Sequence, residues 1–265
     1  MPSKNPARKI GLARALSKLG YCSRSQAVEM IRAGRVRLNG GVRRDPETPV
    51  EVGKHRIVVD GQPIEPQKCI YLLMNKPRGL VTTASDEKGR KTVYSVLAEA
   101  VESLPWVAPV GRLDKASEGL LLLTNDSEWG ARITAPETHL EKTYHVQIGR
   151  VVDEKFTQAI VSGVTTEDGD FLRARQARLL RSGEKNCWLE IVLDEGKNRQ
   201  IRRMLTVLEI DVLRLVRVAI GPLQLGILAK GSFRALTREE KQMLDHAIAG
   251  NITQPRRTRS NAKEE

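Results

Sequence analysis

The apolar residues of this 265-residue chain come in short runs, and the longest purely aliphatic run is the four leucines at 120–123. A helix that crosses a bilayer needs about 20 apolar residues in succession, so the sequence predicts no membrane-spanning segment and no membrane partner. Short apolar runs bounded by glycine, proline and polar residues are instead typical of strands. The chain is therefore expected to build much of its core from a sheet.

Runs with strand character alternate with runs of helical period through residues 69–250. We predict strands at residues 70–74, 107–110, 120–124, 144–148, 188–193 and 213–218, and helices at residues 93–101, 154–161, 199–208 and 238–248. This pattern predicts an α+β fold whose larger domain is a mixed, largely antiparallel sheet with flanking helices.

The charge of the chain is strongly positive and unevenly spread. The net charge is +12 at pH 7, and the first 64 residues carry +8 of it. A basic surface attracts polyanions, so nucleic acid is the favoured partner. Arg14 and Lys18 stand where a signal peptide would need an apolar region, and the three cysteines are too far apart for a CxxC metal site. We expect a cytoplasmic monomer without a metal.

The first 64 residues have strong local signals for a helix, helix, hairpin unit. A first helix is predicted to end at Gly20, and a capping box of Ser23 and Gln26 begins a second one. After this helix, Asn39 and Gly40 form the favoured two-residue hairpin turn. The exposed arginines of this unit are candidate nucleic-acid contacts: Arg24, Arg35, Arg37, Arg43 and Arg44.

Residues 10–64 resemble the S4 RNA-binding domain, and the stretches 16–24 and 34–40 carry the resemblance. The resemblance implies binding of structured RNA through the second helix and the hairpin. An ordinary solvated basic face is the alternative. The predicted organisation is a basic segment at 1–9, this S4-type helix/hairpin domain at 10–64, a linker at 65–68, a catalytic domain at 69–250 and a basic disordered tail at 251–265.

Three segments of the larger domain could carry chemistry. Asp114 lies on a connection between two apolar strands, where it is either a presented carboxylate or a simple turn residue. Tyr144 shares a strand face with apolar residues, and is either a core side chain or an aromatic wall for a flipped base. Asn198 is predicted to cap a helix on which three arginines share one face: Arg199, Arg202 and Arg203.

Together these segments resemble the pseudouridine synthases that modify ribosomal RNA, in the RsuA-like branch with an N-terminal S4 domain. The resemblance covers nearly the whole chain to about residue 246 and includes residues 75–79 and 214–221. It implies that Asp114 is the catalytic carboxylate, that Tyr144 contacts the target base, and that Arg202 is its basic companion. Arg112 is implied to reorganise the RNA around a flipped nucleotide, and Arg199 and Arg203 are further candidate RNA contacts.

The resemblance implies isomerisation of one uridine in ribosomal RNA or a ribosomal precursor particle, with the large subunit favoured and no cofactor. Two other functions stay open at this point. A non-catalytic ribosome-assembly factor would use the same basic surfaces. A nucleic-acid hydrolase would use Asp114 and Glu118 as paired carboxylates, and its activity would depend on a metal.

Overall fold

The computed structural model describes residues 9–83, 86, 88–98 and 104–253. Seven α-helices lie in these residues: α1 (Leu12–Lys18), α2 (Arg24–Arg32), α3 (Tyr94–Leu97), α4 (Ser127–Thr134), α5 (Glu154–Ser162), α6 (Gln200–Val207) and α7 (Arg238–Thr253). None of the helices in the described residues is long and apolar enough to cross a membrane.

The strands of the same residues are β1 (Ile10–Gly11), β2 (Val36–Leu38), β3 (Gly41–Arg43), β4 (Pro49–Val50), β5 (Ile57–Val59), β6 (Gln62–Pro63), β7 (Tyr71–Lys76), β8 (Ala108–Val110), β9 (Glu118–Thr124), β10 (Lys142–Ile148), β11 (Val164–Thr165), β12 (Phe171–Leu172), β13 (Gln176–Ser182), β14 (Cys187–Leu193), β15 (Val212–Ile220), β16 (Leu223–Gln224) and β17 (Phe233–Ala235). The α+β prediction is confirmed.

The N-terminal unit folds as its local signals predict. The capping box forms, since the Ser23 hydroxyl accepts from the amide of Gln26 at 3.2 Å and the Gln26 side chain accepts from the amide of Ser23 at 3.0 Å. Asn39 and Gly40 take φ values of 51° and 87°, which a tight hairpin turn between β2 and β3 requires. The helices and a four-stranded sheet, β3-β2-β5-β6, enclose a core of their own.

A nine-stranded sheet organises the rest of the chain. Its main path runs β13-β14-β10-β15-β9-β7-β17, while β8 and β16 pair with β9 and β15. Neighbouring strands are antiparallel except for β15 and β9, which run parallel. The leucines of β9 alternate between two cores: Leu120 and Leu122 pack with α4 and α7, and Leu121 and Leu123 pack with α3. A third core lies between β10, β14, α5 and α6.

The parallel contact between β9 and β15 depends on Gly119. This residue lies opposite Arg217 and has a φ of +99°, a conformation that side chains rarely adopt. A Cβ atom at Gly119 would stand 2.2 Å from the carbonyl oxygen of Arg217. The absence of a side chain therefore lets the two strands approach closely.

All six strands predicted for the larger domain are present. The sequence analysis missed the helix α4 and the strands β11, β12, β13, β16 and β17. The helix predicted at 93–101 is seen as α3, and residues 99–101 lie outside the described part. Helix α7 continues to Thr253, three residues into the predicted tail, because the first proline that would end it is Pro255. Residues 1–8 of the predicted basic segment and residues 254–265 of the predicted tail lie outside the described part.

Candidate active site

A cavity of about 510 Å³ opens where the turn before β9, the strand β10 and the start of α6 meet. Five of the residues singled out from the sequence line it: Arg112, Asp114, Tyr144, Arg199 and Arg202. They come from three segments that are far apart in the chain, so the fold brings the predicted carboxylate, phenol and guanidinium groups to one place.

The buried side chain of Lys76 holds the turn that carries Asp114. The Lys76 ammonium is fully buried and donates to the carbonyl oxygens of Asp114 at 3.1 Å and of Ser117 at 2.8 Å. Within the turn, the amide of Ser117 donates to the carbonyl of Asp114 at 2.9 Å. A charged donor that holds two carbonyls of one turn fixes its backbone firmly.

The same turn is also tied to the segment that follows β7. The Thr82 hydroxyl donates to the carbonyl of Leu113 at 2.7 Å, and the amide of Gly79 donates to the carbonyl of Lys115 at 2.7 Å. These bonds lie on either side of Asp114. The half-buried carboxylate is thus presented to the cavity from a backbone that is held on both sides.

Burial makes Lys76 an unusual lysine. Desolvation lowers the pKa of its ammonium to about 8, and Arg217 adds to this lowering, while Asp114 and Glu118 oppose it. At neutral pH the group therefore keeps its positive charge beneath the Asp114 turn. The sequence analysis gave Lys76 no role, because a lysine at the end of a strand is ordinarily exposed.

Tyr144 reaches the cavity from β10, in the middle of the sheet. It lies opposite Ile191 of β14 and Arg217 of β15, and its half-buried ring packs against two of the cores. The predicted alternation is confirmed in that Val146 and Ile148 are fully buried in the core of β10 and β14. Because Tyr144 lies where that core meets the cavity, one part of its ring is packed and another faces the opening.

Arg202 approaches the Asp114 turn from α6. One of its terminal nitrogens donates to the carbonyl of Ala116 at 3.3 Å. Its Nε is buried and, among the described residues, has no hydrogen-bond partner. Desolvation and the nearby Arg199 lower the pKa of Arg202, and its attraction to Asp114 opposes them. Among the described residues, no ion pair within 4.0 Å joins Asp114 to Arg202, so the attraction between these two side chains acts over a longer distance.

The start of α6 differs from the prediction. Arg199 occupies the N-cap position in a left-handed conformation, with φ 47° and ψ 33°, and no side chain caps the helix, so the prediction of Asn198 as the cap is wrong. The buried Gln200 anchors this end instead. Its amide group donates to the carbonyl of Arg173 at 2.9 Å and to the carboxylate of Glu195 at 2.7 Å.

Arg203 does not join the other two arginines at the cavity. Its guanidinium forms ion pairs with Asp168 at 2.8 Å and with Asp170 at 2.7 Å, both on the turn between β11 and β12. The prediction that Arg199, Arg202 and Arg203 share one face is therefore wrong for Arg203. The two carboxylates hold its side chain away from the opening.

Glu118 is close to Asp114 in the chain but faces other partners. Its nearly buried carboxylate pairs with Arg214 at 3.0 Å and with Lys230 at 2.6 Å. Burial acts to raise the pKa of Glu118, but the two cations hold it below its usual value. No group of three residues suited to bind a metal occurs in the described part of the chain. The geometry therefore does not support Asp114 and Glu118 as a catalytic pair.

The five arginines of the N-terminal unit are exposed, as predicted. Several make only local contacts: Arg35 pairs with Asp60 at 2.9 Å, and Arg44 donates to the carbonyl of Arg32 at 2.9 Å. Surface interactions of this kind are weak, so they leave the guanidinium groups available to phosphates.

Two cations that reach the cavity from strands were missed by the sequence analysis: Lys142 of β10 and Arg217 of β15. The pKa of Lys142 is lowered to about 8, mainly by desolvation and also by the charge of Arg217, while Asp194 opposes the lowering. Arg217 is buried, with 5% of its surface exposed. Arg217 stands in a mainly apolar strand, and a cation in such a strand was the available signal. Lys142 stands between Glu141 and Thr143 and gave no such signal.

Two family models match the chain. A model described as RNA pseudouridylate synthase matches residues 70–206, and a model described as the S4 domain matches residues 10–55. The first match covers the Asp114 turn, Tyr144 and Arg202. The second covers both helices and the hairpin of the N-terminal unit.

Curated relatives match the chain over most of its length. An uncharacterized RNA pseudouridine synthase of Aquifex aeolicus is 37% identical over 241 residues, which are 91% of this chain and 95% of the relative. Ribosomal large subunit pseudouridine synthase B of Bacillus subtilis is 33% identical over 236 residues, which are 88% of this chain and 94% of the relative.

A solved structure matches both parts of the fold. It is described as a crystal structure of pseudouridylate synthase, and it aligns with a TM-score of 0.62 at 28% identity. The alignment covers 89% of this chain and 99% of that one. The similarity therefore extends over nearly the whole of the solved chain.

Proposed function

The chain belongs to the RNA pseudouridine synthase family, and we propose that it isomerises one specific uridine of ribosomal RNA, with the RNA of the large subunit favoured. The observation that carries the proposal is that Asp114, Tyr144 and Arg202 line the same cavity. The choice of the large subunit is supported by the Bacillus subtilis relative, whose name states that substrate.

The reaction makes simple demands on the site. The bond from the ribose to N1 of the base breaks, the uracil turns, and its C5 forms a new bond to the same ribose carbon. The hydrogen on C5 is lost as a proton and N1 gains one, so atoms and electrons balance without a donor or an oxidant. We assign Asp114 as the acidic group. It could attack the ribose, attack the base or remove a ribose proton, and all three roles need its carboxylate.

The assigned side chains divide the work of the site. Tyr144 offers a ring on which uracil can stack, a contact worth about 1–3 kcal/mol per base. The positive charge of Arg202 attracts the carboxylate of Asp114 and keeps the two groups oriented. The tied turn holds Asp114 still while the base rotates, which preserves the alignment on which the rate depends.

The target base must leave its stack before it can reach Asp114. Extrusion costs a few kcal/mol, and it costs least where the base is unpaired. We propose that Arg112 and Arg199, which are exposed at the opening, hold the displaced RNA. The arginines of the S4 domain then supply binding energy through phosphate contacts, at Arg24, Arg35, Arg37, Arg43 and Arg44. We propose that the protein acts as a monomer on ribosomal RNA or a precursor particle.

Replacement of Asp114 by Asn tests this function. We expect the wild-type protein to form pseudouridine in unmodified ribosomal RNA transcripts, and the Asp114→Asn variant to bind the RNA with unchanged affinity but form none. Pseudouridine mapping of ribosomal RNA from cells with and without the gene identifies the position. Glu118→Gln is the matched control, and it should stay active because Glu118 faces Arg214 and Lys230.

The same experiment separates the alternatives. A variant with Asn at 114 that still forms pseudouridine contradicts the assignment of the catalytic acid. A wild-type protein that binds the RNA but modifies no uridine is instead the assembly factor. Loss of activity in a chelator, restored by a divalent metal, favours the hydrolase.

A further inference from the structure

Three residues that line the cavity each have a buried polar atom without a partner in the described part of the chain. These atoms are the Ser117 hydroxyl, Nε of Arg202 and one terminal nitrogen, Nη2, of Arg217. A buried donor that stays unpaired costs about 1–3 kcal/mol, and a charged one costs more. Buried polar groups in folded proteins are rarely left in this state, so three of them around one cavity indicate groups that a ligand completes.

Of the two arginines, Arg217 is the more deeply buried. Its Nε donates to the carbonyl of Leu120 at 2.8 Å, so the guanidinium is anchored at one end. The residue is 5% exposed, and Lys76 and Lys142 both experience its charge. Burial of a fixed cation beside two other cations costs stability, and no ion pair within 4.0 Å offsets this cost for Arg217 among the described residues.

The register of the sheet sets Arg217 beside Tyr144. The two residues are directly opposite each other on β15 and β10. Such partners point to the same face, with Cβ atoms about 4.5–5.5 Å apart. On the other side of Arg217 lies Gly119, which has no side chain to occupy the space. A base stacked on the ring of Tyr144 would therefore bring its edge to the guanidinium of Arg217.

The chemistry of this edge fits uracil. A guanidinium only donates hydrogen bonds, and uracil offers two carbonyl oxygens, O2 and O4, as acceptors. Arg112 and Arg199 are exposed at the opening and suited to phosphates, whereas Arg217 is buried at the level of the base. We propose that Arg217 is a specificity-determining residue that donates from Nη2 to one carbonyl oxygen of the flipped uracil. This inference rests on the proposed function.

A cycle that pairs a change in the protein with a change in the base tests the contact. The probes are ribosomal RNA transcripts made with uridine, 2-thiouridine or 4-thiouridine, since sulfur accepts hydrogen bonds more weakly than oxygen. The proteins are wild type, Arg217→Met and Arg217→Gln. Arg178→Met is the control, because Arg178 is exposed on the edge strand β13 and pairs only at the surface. Chromatography of digested nucleosides measures the isomerised product, and thermal unfolding identifies any variant that does not fold.

We expect sulfur at one of the two positions to lower kcat/KM of the wild type about 10- to 100-fold. Arg217→Met should lose a similar factor on uridine transcripts and lose nothing further with sulfur at that position. Arg217→Gln should lie between the two, and Arg178→Met should behave as the wild type.

Three outcomes contradict this inference, and a fourth contradicts the proposed function as well. If neither thio substitution slows the wild type, no donor contacts the carbonyl groups, whether or not the variants fold. Equal sulfur effects in wild type and Arg217 variants exclude a contact to the base. An equal loss of RNA affinity on all three transcripts would make Arg217 a phosphate contact. A wild type that isomerises no uridine refutes the proposed function itself, and the inference fails with it.

Discussion

Replacement of the buried Lys76 by Met should change how the stability of the protein depends on pH. Lys76 is fully buried, and desolvation lowers its pKa from the ordinary value of 10.5 to about 8. Between these two values the unfolded chain keeps a proton that the folded protein has released. Stability therefore rises with pH in this window, because the unfolded state binds more protons.

The size of the effect follows from the two pKa values. Below pH 8 both states hold the proton, and the full cost of the buried charge is present. Linkage gives the wild type a gain of about 2 kcal/mol from this group between pH 7 and pH 9.5. Lys76→Met lacks the group, so the stability of the wild type relative to the variant should increase by that amount.

A difference taken between two pH values isolates the charge from the other effects of the substitution. Met also removes the ammonium from which the carbonyls of Asp114 and Ser117 accept, and a buried acceptor left unpaired costs about 1–3 kcal/mol, although the carbonyl of Asp114 keeps the amide of Ser117 as a donor. That cost is largely shared by both pH values, as is the titration of every other group. Urea unfolding followed by circular dichroism at pH 7 and pH 9.5 measures the difference.

The control is Lys91→Met, which removes an exposed lysine. Its stability relative to the wild type should not change between the two pH values, because the Lys91 side chain stays in water when the protein folds. If the stability difference between the wild type and Lys76→Met is also the same at pH 7 and pH 9.5, the reasoning is refuted. That result would mean that burial in the folded state does not penalise this ammonium.

Two further changes test the close strand contact and the domain boundary. Gly119→Ala should lower the free energy of unfolding in urea by at least about 2 kcal/mol, because its Cβ would stand 2.2 Å from a backbone oxygen. The control is Gly53→Ala, at φ +88° in open space, which should lower it by about 1 kcal/mol. Equal losses in the two variants would contradict the close contact at Gly119. Deletion of residues 1–64 should weaken RNA binding and make it less dependent on salt. The remaining domain should unfold only a few degrees lower, because the ion pair of Lys18 with Glu128 across the boundary is exposed and worth about 0–1 kcal/mol. A truncated protein with no cooperative thermal transition would refute the boundary.

The N-terminal unit was predictable because its signals are local. The Ser23 and Gln26 side chains that form the capping box are three residues apart, and the hairpin turn needs only Asn39 and Gly40. Each signal names an element end and a backbone conformation without reference to the rest of the chain. The strands of the large sheet were predictable for a similar reason, since their apolar runs are visible without knowledge of their partners.

The sequence could not show which of Arg202 and Arg203 faces the cavity. Successive residues of a helix point about 100° apart, so either side chain could have faced the cavity. The choice is set by Asp168 and Asp170, which capture Arg203 from a turn more than thirty residues earlier. A pattern of arginines on one helix carries no information about such partners.

The site itself depends on register, which local patterns do not encode. The Asp114 turn leads directly into β9, whose second residue, Gly119, is paired with Arg217, and Arg217 in turn lies opposite Tyr144. A slip of one residue in either pairing would move Tyr144 or Arg217 to the other face of the sheet and away from the carboxylate. The sequence could therefore name the acid and the ring, but only the pairing of β9, β15 and β10 shows that a buried arginine lies opposite the tyrosine. The same pairing explains why Gly119, a residue with no chemistry of its own, is needed beside the proposed active site.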